Sequence, residues 1–348
     1  MAKCRIINVL LCSILLWGAS PLLANEDGGG VQWHRLTEAG RTKMLKGDLP
    51  EAEKSFEEAL KLSESFTPLD TRRIVSLSNM SLLLKDKQQL DLAEQYSRKA
   101  LALIREDGIK DGAMFGVELS NLAGILADQA KFEEAMQLYE SAMLILSKAR
   151  GEDSLEVATV ADNYAVLHQK LRQYDQAIEL EKKSVDIYEK RLGRDKKDLA
   201  VAFGNLAESY SASGDNENAR LYSEKSLSVM RKTYGDKHPA VASAMDNLAG
   251  IYIKEGRLAE AESLQLRALD IFKETLGDEH PDVAICLDNL ADFYTSQKRY
   301  KQALRRSEDA MDMVEKSLGK DHPLYKSIKG RYETLKEKNA KKEDDKKN

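Results

Sequence analysis

Asn205-Leu206-Ala207, Asn247-Leu248-Ala249 and Asn289-Leu290-Ala291 are one tripeptide met three times at an interval of 42 residues. The register continues upstream through Asn163-Tyr164-Ala165, Asn121-Leu122-Ala123 and Asn79-Met80-Ser81. Fourteen residues after each Asn stands an alanine: Ala93, Ala135, Ala177, Ala219, Ala261 and Ala303. Seven further on comes a second small residue, at Ala100, Ala142, Ser184, Ser226, Ala268 and Ala310. Glycine follows 30 residues after the Asn in five copies, at Gly151, Gly193, Gly235, Gly277 and Gly319. A period of this length, kept over six copies, marks an array of repeated supersecondary units. A degenerate copy precedes them, with Gly47, Ala52 and Ala59 in matching places, and a half copy follows from His322, with Arg331 in place of the Asn. Atypical ends are what a stacked array needs, because its end faces meet water.

Inside one unit the apolar spacing is helical. Val241, Met245, Leu248, Ala249 and Tyr252 share one helix face, and Ala261, Leu264, Ala268 and Ile271 share another. Glu255-Gly256-Arg257 supplies the turn between them, as Ser213-Gly214-Asp215 does one repeat earlier. Alanine at 249, 261 and 268 predicts close approach of the two helices. The link Leu276-Gly277-Asp278-Glu279-His280-Pro281 predicts a helix end at glycine and a new helix with proline in its first turn. Composition agrees. The 348 residues are 42% hydrophobic, 32% charged and only 6% aromatic, with a mean hydropathy of −0.49. That balance points to an all-helical protein with much exposed surface, and away from sandwiches and parallel-sheet enzymes.

The first residues read as an address. Lys3 and Arg5 precede the apolar run Ile6–Trp17, small residues follow to Leu22-Leu23-Ala24, and the chain turns polar at Asn25. This is the order of a secretory signal peptide, with cleavage expected after Ala24. The apolar run is shorter than the ~20 residues of a spanning helix, although Leu22 at −3 leaves an uncleaved membrane anchor open. Loss of residues 1–24 moves the net charge from −5 to −7 and leaves Cys286 as the one cysteine. No internal disulfide is then available, and packing alone must hold the fold. Cys286 itself reads as a small buried hydrophobe.

The pattern Gly-Asp-x-His-Pro-x-Val-Ala…Asn-Leu-Ala…Tyr…Gly-Arg…Ala-Glu…Arg-Ala-Leu over residues 235–269 resembles the 42-residue tetratricopeptide (TPR) repeats of kinesin light chains. The resemblance spans roughly residues 33–338. It implies an all-α, right-handed α-α superhelix of about seven helix hairpins and a C-terminal capping helix. The expected plan is a signal peptide at 1–24 and a flexible linker at 25–32. Repeats follow near 33–66, 69–107, 111–149, 154–191, 196–233, 238–275 and 280–317, then a capping helix at 322–338 and a charged disordered tail at 339–348. The leader, and the lack of a long heptad region, set this chain apart from a motor subunit. Export to the periplasm or the extracellular space is expected.

In TPR proteins the first helix of every unit lines a concave, peptide-binding side. By that resemblance Asn79, Asn121, Asn163, Asn205, Asn247 and Asn289 form a ladder of amides able to donate to and accept from a peptide backbone. The alternative, left open by the sequence, is that each Asn bonds the neighbouring helix and fixes the stacking. Positions −1, +3 and +7 from each Asn belong to the same face. They hold Asp86, Asp128, Asp162, Glu208, Asp246, Asp288 and Asp292, against Lys170 and Lys254. Read as a groove, this wall calls for a neutral or basic protein or peptide segment; read blandly, it is a solvated face.

Other chemistry finds little support. The 53 basic and 58 acidic residues are mixed along the chain, with no basic block for a nucleic acid. His238, His280 and His322 sit in separate turns, too far apart for one metal ion. No phosphate loop, catalytic triad or cofactor motif is present in the sequence, so no cofactor and no catalytic residue is expected. The function implied is a non-enzymatic scaffold or adaptor. An accessory subunit offering a substrate platform to an envelope enzyme or secretion complex is the second reading. Membrane contact is expected only if the leader is retained.

Overall fold

The computed structural model describes residues 28–45, 47–67, 70–106, 112–193 and 196–345, with residues 318, 323 and 341–345 by backbone alone. The leader and Asn25–Asp27 lie outside the described residues. Fifteen helices run through the described chain, which falls into two compact units. The N-terminal unit, up to Arg191, holds α1 (Gly28–Leu45), α2 (Leu49–Ser63), α3 (Thr71–Asp86), α4 (Leu90–Glu106), α5 (Gly112–Asp128), α6 (Phe132–Arg150), α7 (Leu155–Lys170) and α8 (Tyr174–Leu192). The C-terminal unit, from Leu192, holds α9 (Lys197–Ser213), α10 (Asn216–Tyr234), α11 (Pro239–Lys254), α12 (Leu258–Leu276), α13 (Pro281–Ser296), α14 (Tyr300–Leu318) and α15 (Pro323–Asp345). The described residues contain no strand. The fold is the all-α superhelical repeat that the 42-residue period predicts.

Two rows of small residues hold the hairpins shut. Ala93, Ala135, Ala177, Ala219, Ala261 and Ala303 are fully buried, and so are Ala100, Ala142, Ser184, Ala268 and Ala310. At each, helix backbones approach closely enough that a larger side chain would overpack the interface. The two helices of a hairpin differ in burial. The first packs on its partner, on the preceding hairpin and on the next first helix, as α3 does on α5, α5 on α7 and α9 on α11. Residues all round α5 are therefore buried, whereas α6 buries only the stripe Ala135, Tyr139, Ala142 and Leu146.

The turn inside each hairpin repeats one backbone device. Gln88, Ala130, Arg172, Gly214, Gly256 and Lys298 stand nine residues after the Asn, and all have φ between 57° and 94°. The N–H of the following residue bonds back to the carbonyl five residues earlier, as in Gln89 to Leu84, Lys131 to Leu126 and Arg257 to Tyr252, each at 2.8–2.9 Å. This Schellman closure satisfies carbonyls that the helix end leaves free. Only Gly214 and Gly256 of the six are glycine. The other four adopt the left-handed conformation at a steric cost because the two packed helices dictate it.

Two segments differ from the expected plan. α1 starts at Gly28, inside the stretch read as a linker, and Gly30 is buried. Glycine is a poor helix former, so packing and not propensity holds this turn. A hydrogen bond of 2.8 Å from Trp33 Nε1 to Ser76 Oγ ties α1 to α3. At the other end α15 runs on to Asp345, through residues read as a disordered tail. Its Lys, Glu and Ala residues are good helix formers, and high charge marks a solvated segment without deciding its backbone.

Candidate ligand-binding face

The Asn row lies on the first helices, and its members have two fates. Asn79, Asn121 and Asn205 are buried, while Asn163, Asn247 and Asn289 are half-buried. Asn121 Nδ2 donates to Glu118 Oε1 at 3.2 Å and to Ser78 Oγ of the previous repeat at 3.4 Å. Asn289 Nδ2 donates to Asp246 Oδ2 of the previous repeat at 2.5 Å. Arg331, in the Asn place of the final half copy, binds Asp288 through Nε at 3.2 Å and through Nη2. Each of these cross-repeat pairs spans 43 residues, from the Asn position of one unit to the −1 position of the unit before. Asn121 and Asn289 thus take the stacking role. The Nδ2 groups of Asn79 and Asn205 are buried with no partner among the described residues.

The acids divide likewise. Asp162, Asp246 and Asp288 are 4%, 6% and 1% exposed. Asp162 accepts from Ser184 Oγ, and Asp246 also accepts from Gln265 Nε2 at 3.3 Å. Burial pushes the Asp288 carboxyl up to about 6, against the pull of Arg331 and with a push from Asp292. These three carboxylates knit neighbouring helices and are withdrawn from the wall that the sequence reading assembled. The physical reason is that −1 points into the packing between helices, where Asp246 and Asp288 meet Asn289 and Arg331 of the next unit and Asp162 meets Ser184 of its own hairpin. Asp128 pairs with Lys170 at 2.5 Å and Lys85 at 3.5 Å. Glu208 is exposed and Asp292 half-buried. Lys254 reaches the carbonyl and hydroxyl of Ser211 at 2.9 and 2.5 Å, and burial lowers its pKa.

Sequence reasoning passed over three members of this face. Arg41, Ser78 and Glu118 join Asn79 and Asn121 around one small cavity between α1, α3 and α5. Arg41 is 8% exposed and Glu118 2%. Burial pushes Glu118 up to about 7, while the hydroxyl of Ser78 and the amide of Asn121 pull it back. Arg41 was within reach of the repeat register. Ala52 aligned with the +14 alanines puts Arg41 at +3 and Glu38 at the Asn place, and Arg41 Nη1 bonds Glu38 Oε1 at 3.0 Å.

The histidines are helix caps. Nδ1 of His238, His280 and His322 each accepts the backbone N–H two residues on, at 3.1 Å, from Ala240, Asp282 and Leu324. An imidazole here does the work of an aspartate or serine N-cap. His168 is buried, stacks on Tyr164 and bonds Gln173 Oε1 at 2.7 Å. Among the described residues no three His, Cys, Asp or Glu side chains gather as a metal site, and no helix is long and apolar enough to cross a membrane. Cys286 is buried, and its thiol donates to the Gln265 carbonyl at 3.7 Å.

Comparison with known proteins agrees with this architecture. Residues 118–190, 198–257 and 242–316 match the tetratricopeptide repeat family, more than half of the chain. No curated protein matches the sequence. Among solved structures, BtubC (BKLC) from P. vanneervenii superposes with a TM-score of 0.54 at 19% identity, over 72% of this chain and 94% of that one. A putative kinesin light chain from Podosopora anserina with nearly identical TPR-like repeats gives 0.52 at 23% identity, over 60% and 99%. A Rap protein complexed with competence and sporulation factor gives 0.52 at 14% identity, over 90% and 98%. At these identities the likeness carries the fold alone. By its repeat register, its paired helices and its match to the family profile, this chain belongs to the tetratricopeptide repeat family.

Proposed function

We propose that this protein is an exported, non-enzymatic adaptor that binds a protein or peptide segment along the first-helix face of its repeats. The observation that carries the reading is the buried amide of Asn205, whose Nδ2 group has no partner among the described residues. A buried donor of this kind costs about 1–3 kcal/mol, and a ligand carbonyl repays it. Glu208, exposed, and Asp292, half-buried, favour a neutral or basic segment over an acidic one. The leader supports export, with the mature chain beginning at Asn25 and no membrane contact once it is removed.

Crosslinking in the native cell, with the array as bait and Asn205→Ala with Asn247→Ala as control, tests the face. The expected result is a partner recovered by the wild type and lost with the variant while the melting temperature holds. Equal recovery by both moves binding to the second helices or the tail. N-terminal sequencing of the mature protein checks the leader, and a chain beginning at Met1 counts against cleavage.

A further inference from the structure

The first three repeats meet at a polar point inside an apolar interface. Arg41 of α1, Asn79 of α3 and Glu118 of α5 are 8%, 5% and 2% exposed and line the same cavity, walled by Ile74, Leu82 and Val117. Arg41 and Glu118 are partly satisfied elsewhere. Arg41 gives Nη1 to Glu38, and Glu118 Oε1 accepts from Ser78 Oγ and from Asn121 Nδ2. What remains is Nε of Arg41, Nδ2 of Asn79 and Oε2 of Glu118, all buried and without a partner among the described residues. Two donors and one acceptor are thus left over in one place. Buried polar groups in native proteins are almost always bonded, to protein or to ordered water.

The cavity decides the size of the missing partner. Its volume is about 10 Å³, close to the space one water oxygen occupies and too little for a larger group. An oxygen that accepts twice and donates once matches the leftover set, and a hydroxyl-type oxygen has two lone pairs and a donor. A halide accepts from the two donors but has no proton to give to the Glu118 oxygen. We propose that this cavity is a binding site for a single water molecule, which accepts from Arg41 Nε and Asn79 Nδ2, donates to Glu118 Oε2, and pins three successive first helices in one register. The site does not depend on the adaptor reading, since it completes the free protein. It also explains the absence of a direct bond between Arg41 and Glu118, whose charges face the same small space.

Crystals of the full chain, one set soaked in sodium bromide, test the site. The expected result is density for one oxygen within about 3.2 Å of the three atoms, with no anomalous bromide signal there. Bromide in the cavity overturns the proposal in favour of an anion site. An empty cavity with Arg41 swung directly onto Glu118 overturns it outright. In solution, a long-lived water should show nuclear Overhauser contacts to the Asn79 side-chain amide. Those contacts should survive Glu118→Gln, which keeps an acceptor oxygen, and vanish in Glu118→Leu. Equal contacts in wild type and Glu118→Leu refute the assignment, and the crystal arm decides alone should Glu118→Leu not fold.

Discussion

The two units build the same hairpins and finish them with different chemistry. In the N-terminal unit, side-chain caps come from oxygen: Asp48 for α2, Asp70 for α3 and Ser154 for α7. In the C-terminal unit three first helices, α11, α13 and α15, are capped by the imidazoles of His238, His280 and His322. The contacts between first helices differ too. Asp246 and Asp288 in the C-terminal unit are met by Asn289 and Arg331, and Ser78 in the N-terminal unit by Asn121, whereas three side chains gathered in the N-terminal unit, Arg41, Asn79 and Glu118, keep polar atoms without a partner among the described residues, as Asn205 alone of the Asn row does in the C-terminal unit. Backbone geometry is therefore common property of the repeat, and polar chemistry is local to each copy. The His238 cap answers to proton concentration in a way that an oxygen cap, such as Asp215 on α10 of the same unit, does not, because a protonated Nδ1 has no lone pair to give.

The largest effect expected from breaking this contrast is at the buried ion pair. Arg331→Ala leaves Asp288 buried without its partner and should destabilise the protein by about 3 kcal/mol in urea unfolding. Asp288→Asn in the same chain should recover much of that loss, as coupled sites do. Packing should show no such contrast. Ala165→Leu in the N-terminal unit and Ala249→Leu in the C-terminal unit occupy the same fully buried repeat position. Each should cost about 1–3 kcal/mol by overpacking, and an unchanged melting temperature in either would refute the shared helix-pair register.

Capping separates the units again. His280→Ala should cost about 1 kcal/mol and His280→Asn far less, since an asparagine oxygen restores the cap. Mild acid sharpens the distinction at His238. Burial holds its pKa below the ordinary histidine value, so its cap is complete above that ordinary value and is lost as pH falls through the depressed one. Glu118 behaves oppositely. Its carboxyl is raised to about 7 from 4.5, so its contribution is complete below the lower value and is lost as pH rises through the upper. Asp288, raised to about 6, sides with Glu118. Hydrogen exchange at the first amides of α11 should therefore speed up as pH falls below the ordinary histidine value, while α5 gains protection as pH falls from about 7. The smallest effect is in the hairpin turns. Ala130→Gly relieves a left-handed alanine and should stabilise by at most about 1 kcal/mol, as the gain exceeds the entropy cost of glycine only slightly.

Much of the architecture was legible in the sequence because it is written in spacing. The +14 and +21 small residues predict where helices touch, and they are buried as a set. Gly151, Gly193, Gly235, Gly277 and Gly319 predict where second helices end, and all have positive φ. The turns at Gln88, Ala130, Arg172 and Lys298 carry no such mark. Only alignment with Gly214 and Gly256 in the register gives them away. The Asn row shows the boundary most clearly. Its six members share a helix face by spacing alone, yet Asn121 and Asn289 spend their amides on the neighbouring repeat and Asn79 and Asn205 do not.

Spacing along one helix is a local property, set by 3.6 residues per turn and readable without any partner. It determined the repeat, the hairpin, the buried alanines and the order of the fifteen described helices. Which oxygen meets which nitrogen across two helices depends on distances of a few tenths of an ångström and on what else is buried beside them. Hydrogen bonding falls off steeply over that range. The tertiary structure alone therefore decided that Asp162, Asp246 and Asp288 are internal ties, that three histidines cap helices, and that Arg41, Asn79 and Glu118 converge on one cavity.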